Sequence, residues 1–194
     1  MTRCTAPAVA SWLGVAVLAA ATAASAAAQA PFRGGLWMDA GVGYGRLRLT
    51  CDSCSIAAAG GAAFTFSVGG TPARNVLLGV QGQAWFQSRG QRVQSVMAVV
   101  QVYPWSAGFF TRLASGIAFG TVTPATRAQP AAVRSTGIGL ELGAGYDLPL
   151  SRQYALAVQA AWHVAALGDM AVGGQRLNDV FAYVARVGVA LVFR

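Results

Sequence analysis

The chain has 194 residues, 55% hydrophobic and only 10% charged, with a mean hydropathy of +0.51 and a formal net charge of +8. A helical protein of that hydropathy would need spans of about 18 or more apolar residues, and only the N-terminus has one, so a bundle of membrane helices is excluded. Every basic residue is arginine, scattered through turns without a basic stripe or an aromatic RNA-binding motif, which argues against nucleic acid as a partner.

The N-terminal span begins with Arg3, continues as an Ala/Val/Leu run over residues 8–24 and closes on Ala26-Ala27-Ala28-Gln29-Ala30. It reads as a cleaved secretory signal over residues 1–28. Cleavage after Ala30 would put Pro31 beside the scissile bond, so Ala28 is preferred. An uncleaved helical anchor is the weaker alternative, because the core is short and rich in alanine. Loss of Arg3 takes the 14 basic residues to 13 against 6 acids, a charge of +7. Residues 29–35 form a short lead, and a single domain occupies residues 36–194.

From Leu36 the apolar residues recur every second position, the period of a strand with two unlike faces. Leu36, Met38, Ala40, Val42 and Tyr44 alternate with Trp37, Asp39, Gly41, Gly43 and Gly45. Arg46 and Arg48 would continue the apolar set, so a bulge or the membrane boundary is expected there. Residues 50–61 read as a loop that holds Cys51 and Cys54, whose expected disulfide suits a thiol-oxidising compartment. A redox Cys-x-x-C site is disfavoured, since such motifs open a helix after a strand.

Phe64, Phe66 and Val68 begin the second strand, ending in a turn at residues 71–75. The third sets Val76, Leu78, Val80, Ala84 and Phe86 against Gly79, Gln81, Gln83, Trp85 and Gln87. The fourth sets Val96, Ala98, Val100 and Val102 against Ser95, Met97, Val99, Gln101 and Tyr103. The fifth, residues 109–121, has Leu113, Ile117 and Phe119 on one side and Arg112, Ala114, Gly116 and Ala118 on the other. A Pro/Ala/Thr/Arg loop follows, to Ser135. The sixth alternates from Gly137 to Leu148, with Glu141 and Asp147 on its polar side. The seventh alternates from Tyr154 to Val164 and carries His163, with residues 166–178 as a loop. In the eighth, Phe181, Tyr183, Ala185, Val187, Val189, Leu191 and Phe193 share one face.

Eight strands with so many apolar faces leave no polar partner surface to enclose them, so those faces must meet lipid. Backbone groups in lipid have no water to bond, so the sheet has to close. An all-β, eight-stranded antiparallel up-and-down transmembrane β-barrel follows, with the connections after strands one, three, five and seven longer than the others. At this size the bore is just wide enough to be filled by side chains, and many of the 24 glycines fall on the inward parity. Tyr146, Tyr154, Phe109 and Phe193 are expected at one bilayer interface and Tyr44, Phe86, Trp162 and Phe181 at the other.

Inward ionisable residues are few: Asp39, Arg112, Glu141, Asp147, His163 and Arg186. Charges in a narrow bore must pair, so Glu141 is expected to meet Arg186 near mid-height, with a lower cluster around Arg112. A filled, blocked lumen is the bland reading and a gated pore on the same pair the sharper one. His163 is the only histidine. One histidine cannot build a metal site, and two cysteines elsewhere in the barrel add at most two ligands, so neither metal nor cofactor is expected. Outer-membrane lipid A deacylases pair a strand histidine with a nearby serine. Here Val164 and Ala165 follow His163, which leaves only a serine from another strand and argues against an enzyme.

The polar residue, glycine and two spaced apolar positions Arg186, Gly188, Leu191 and Phe193 resemble the C-terminal signal of bacterial outer-membrane barrels, although Arg194 rather than an aromatic ends the chain. With Gly41 to Tyr44 and Gly143 to Tyr146 as Gly-x-Gly-Tyr segments, residues 36–194 resemble the small OmpA/OmpX-type barrels of the "outer membrane protein β-barrel domain" group. The resemblance implies residence in the cell outer membrane and insertion by the barrel-assembly machinery. It also implies contact with outer-membrane lipids and lipopolysaccharide, and a structural or adhesin-like role toward an unidentified extracellular ligand. A narrow gated pore, and more distantly a lipid-modifying enzyme, are the alternatives.

Overall fold

The computed structural model describes residues 35–51, 54–87, 90–105, 108–122, 133–172 and 175–194, with side chains described except at 54–57, 122, 170–172 and 175–177. The expected signal segment lies outside the described residues. Eight strands follow one another: β1 (Gly35–Cys51), β2 (Cys54–Ala73), β3 (Val76–Phe86), β4 (Arg92–Val102), β5 (Phe109–Val122), β6 (Val133–Pro149), β7 (Tyr154–Val172) and β8 (Gln175–Phe193). Each pairs antiparallel with its sequence neighbours, and β1 pairs with β8, so the sheet closes into a barrel with no free edge through its wall.

The register sets the tilt. Stepping across partners from Met38 through Val68, Val80, Ala98, Ser115, Leu140, Val164 and Tyr183 returns to β1 at Arg48, ten residues further along. A shift of that size around eight strands tilts them by about 35–45°. Side chains then divide by parity. Val42, Tyr44, Phe64, Phe66, Leu142, Trp162 and Val187 are exposed on the outer wall, while Trp37, Leu77, Met97 and Phe110 are fully buried inside. This inverts the solvent logic of a water-soluble sheet, in which the apolar parity would be the buried one.

Ring pairs mark both ends of the wall. Tyr154 and Phe193 lie 5.5 Å apart at the lower end with Trp105 and Phe109 at 5.1 Å; Phe64 and Phe86 lie 5.9 Å apart toward the upper end with Phe181 and Tyr183 at 6.4 Å. We call upper the end that carries the β1–β2 and β7–β8 turns.

Two stretches expected as loops are strand. Residues 54–61 belong to β2, and residues 166–172 and 175–178 extend β7 and β8. Alanine and glycine give residues 54–61 almost no periodic signal, and the irregularity at Gly168 interrupts it in β7. The ladder continues because β1 keeps pairing with β8 as far as Thr50 opposite Phe181. For β1–β2 and β7–β8 the expected loop length is therefore taken up by the strands, while residues 123–132, expected as a loop, lie outside the described residues. β3 and β4 join lower down, so β2, β1, β8 and β7 stand above them as a raised blade, and β2 meets β3 only from Ala62 onward.

The expected break of parity after Gly45 does not occur in β1. Arg46 and Arg48 stay outward while Leu47 and Leu49 are buried. The bulge sits across the ladder, where Leu47 opposes Ala59 but Leu49 opposes Ile56, so β2 absorbs the extra residue. A second irregularity lies at Gly168, at φ +68°, opposite Val180, next to Asp179 at φ +51°. Both bend the blade at the rim.

Candidate functional site

The lumen holds the ionisable residues, and their arrangement follows from parity and register. Asp39, Arg112, Glu141, Asp147, His163 and Arg186 are all buried. Arg112 is a hub: Nη2 donates to Asp39 Oδ2 at 2.8 Å, Nε to Gln101 Oε1 at 2.9 Å and Nη1 to Gln81 Oε1 at 3.3 Å. Ser67 Oγ donates to Asp39 Oδ1 at 3.2 Å. Higher in the bore, Arg186 Nη2 meets Glu141 Oε1 at 2.7 Å, and the same oxygen accepts from Gln81 Nε2 at 2.8 Å. Gln81 therefore links the two ion pairs, with its carbonyl toward one guanidinium and its amide toward the carboxylate of the other.

Asp147 does not join Arg112 directly. It accepts from Tyr103 Oη at 2.7 Å and pairs with Arg194, while Tyr103 in turn accepts from Gln101 Nε2. The end of β8 thus turns an arginine into the lower mouth, which accounts for a basic residue where the resembled signal has an aromatic. Gln81, Gln101 and Tyr103 were legible as inward residues but not as members of the network, and nothing local marked Ser67 or Arg194 for it. A charge count held a signal for Arg194: three inward acids faced only two inward arginines, so a third cation was owed.

Among the described residues the lumen network is electrically balanced, three guanidiniums against three carboxylates, each pair in contact. Balance matters because an unpaired ion there would carry a desolvation cost of several kcal/mol. Above the network Leu47, Trp85, Val93, Leu167, Val180 and Val184 pack into one buried apolar cluster. Below and around Arg112, Trp37, Leu77, Val99, Phe110 and Val192 form another. Trp37 and Trp85 are tied by Nε1 to the Leu78 and Gly45 carbonyls, at 3.2 and 3.1 Å.

His163 does meet a serine from another strand. Ser95 Oγ on β4 lies 3.1 Å from His163 Nε2, and Glu141 is the cross-strand partner of His163. Gly139 makes room for the ring, since a Cβ there would come within 2.8 Å of Cε1. The constellation has the residue types of a nucleophile–base pair, yet both side chains are buried under the apolar cap. The adjoining void, of about 10 Å³, is lined by His163, Arg186, Trp85 and Val184. That is at the lower limit of what holds one water. Among the described residues no three His, Cys, Asp or Glu side chains converge as metal ligands.

Cys51 and Cys54 are the terminal Cα partners of the β1–β2 pair. Of the resembled C-terminal signal, Gly188 and Arg186 face the lumen while Leu191 and Phe193 lie on the outer parity.

No protein-family profile and no curated protein sequence matches the chain. Solved structures do. Neisserial surface protein A is 11% identical, with 82% of this chain and 96% of that one covered at a TM-score of 0.57. Ail, the attachment invasion locus protein of Yersinia pestis, is 14% identical, with 83% and 99% covered at 0.57. Ail in complex with the heparin analogue sucrose octasulfate matches at 15% identity, 82% and 99% coverage and 0.53. At such identities the likeness establishes the fold: a closed eight-stranded barrel of the small outer-membrane type.

Proposed function

We propose that this chain, sharing its fold with the small outer-membrane barrels, is a sealed, non-conducting and non-enzymatic surface protein that acts through its upper rim. The observation that carries the reading is the lumen itself: among the described residues, a charge-balanced network lies between two buried apolar clusters. Conduction would need water beside those ions, and catalysis would need access to Ser95 or His163. The packing of Leu47, Trp85 and Val93 above the network and of Phe110 and Val192 below it argues against both. What remains to meet a partner is the rim, where the raised blade stands clear of the wall and Arg92 and Arg134 are exposed beside it. The ligand complex of Ail with a sulfated sugar makes a polyanionic glycan a reasonable class of extracellular ligand for such a rim.

Single-channel recording in planar bilayers tests the sealed lumen. Brief or absent events are expected, and sustained open conductance of the folded protein would overturn the reading in favour of a pore. The rim is tested by cell attachment of bacteria displaying the full chain or a variant with residues 169–178 replaced by a two-residue turn. Equal attachment by the two would count against a surface role.

The blade also carries a proposed disulfide. Antiparallel partners stand about 4.5–5.5 Å apart at Cα, inside the range a disulfide spans, which supports a crosslink between Cys51 and Cys54. Alkylation without reductant followed by mass spectrometry is expected to find neither thiol modified; two alkylated cysteines would refute the crosslink.

A further inference from the structure

The outer wall has a feature the sealed lumen does not explain. Arg46 and Arg48 both project from β1 on the parity otherwise given to lipid, and among the described residues neither has a carboxylate partner, since the three ion pairs all lie inside. A depression of about 620 Å³ runs down the wall from Arg46 across β8, β7 and β6. A second, of about 540 Å³, reaches from the same place up past Arg48 and Tyr183. The two share Arg46, Trp162 and Ala185.

The floor of the trough is made by short side chains in two adjacent rows, with Ala160 and Ala185 as diagonal neighbours because the partner of Ala160 is Val187. Ala144 opposes Ala160, and Trp162 opposes Ala185, which opposes Arg46. Leu142, Trp162, Tyr44 and Val187 stand higher around them and are all exposed. Alanines among tall neighbours leave an elongated apolar channel in a surface that should otherwise be evenly covered. It ends in two guanidiniums at the height of the aromatic belt.

We infer that this trough holds one phosphate-bearing lipid of the outer leaflet, its phosphate bound by Arg46 and Arg48 and one acyl chain laid along Ala185, Ala160 and Ala144. The inference rests on the outer-membrane reading and deepens it by naming a site and a ligand class. Guanidinium forks match phosphate oxygens bidentately, and the low-dielectric edge of the bilayer strengthens that contact. Phosphate supplies the charge the arginines lack, and the chain fills apolar volume that neither water nor a rigid neighbour could. A second pair of outward arginines serves as an internal contrast. Arg92 and Arg134 flank Thr121 across β4, β5 and β6, but Arg92 lies over the Phe86 ring at 5.6 Å, and the nearby depression is lined by Phe64, Phe66, Val96 and Phe119 without an arginine.

The test is native mass spectrometry of the full chain, folded in detergent micelles, titrated with bis-phosphorylated lipid A and separately with its dephosphorylated form. Saturable retention of one bis-phosphorylated lipid is expected. R46Q/R48Q should weaken retention by about tenfold or more, the scale set by charged hydrogen bonds, while R92Q/R134Q should leave it within about twofold. Filling the trough with A160L/A185L should weaken it with both arginines intact. Equal retention of the dephosphorylated lipid, equal loss in R92Q/R134Q, or unsaturable uptake of many lipids would each overturn the site. Each variant is first shown to keep the compact unboiled form on a gel. If A160L/A185L loses that form, the arginine pairs decide alone. A wild-type chain that shows no heat-modifiable form would sink the membrane-barrel reading rather than the lipid site.

Discussion

Gly188→Val should abolish the compact, fast-migrating form of the barrel on an unboiled gel. Gly188 and Gly43 are cross-strand partners on the seam between β1 and β8 that closes the sheet. A Cβ on Gly188 would sit 2.4 Å from the Val42 carbonyl oxygen and 2.9 Å from Gly43 Cα, and a Cβ on Gly43 would sit 2.3 Å from the Val187 carbonyl oxygen. Those are backbone atoms on both sides, so no side-chain rotation relieves the clash. The strands would have to separate along the seam, stranding N–H and C=O groups in hydrocarbon at several kcal/mol each. That makes the effect close to all-or-none. Gly82→Ala is the control on the outward parity: its Cβ would find nothing closer than the Phe66 carbonyl at 3.9 Å, and folding should be retained. Normal heat-modifiable migration of Gly188→Val would show that the seam tolerates separation.

Arg186→Met should lower stability by about 3–5 kcal/mol, because it leaves the Glu141 carboxylate buried with only Gln81 to bond. Joint replacement of Arg186 and Glu141 by methionine should cost much less than the single change, since removing both charges also removes their desolvation penalty. The measurement is the urea midpoint for unfolding of the lipid-reconstituted barrel, read by tryptophan fluorescence and arranged as a double-mutant cycle. A double variant as unstable as the sum of the two singles would mean the charges act independently and the ion pair is incidental.

The alternation in β1, β3, β4, β6 and β8 was legible because β-branched and aromatic residues meet lipid while glycine and polar residues meet the bore. The extended tops of β2, β7 and β8 were not. Residues 54–61 are mostly alanine and glycine, whose side chains look alike on both faces, and in residues 166–172 the irregularity at Gly168 breaks the alternation. The pairing of β1 with β2 up to Cys54 and of β7 with β8 up to Gln175 shows that they continue the sheet. The lumen divided similarly. The inward parity and the need for charges to pair pointed to Glu141, Arg186 and Arg112. The bridging of two ion pairs through Gln81, and the turning of Arg194 into the mouth beside Asp147, depended on which strands face one another across the bore.

By itself the sequence determined that every second side chain faces lipid and that eight such strands must close, because hydrogen bonding along a ladder and solvation by hydrocarbon act on each residue locally. The tertiary structure alone decided the ten-residue shift around the barrel, and with it which inward charges touch, where Ser95 meets His163 and which outward alanines line up beneath Arg46. Those contacts join residues 45 to 73 positions apart, as between Arg186 and Glu141 or Arg112 and Asp39, and no local preference encodes distances of that kind.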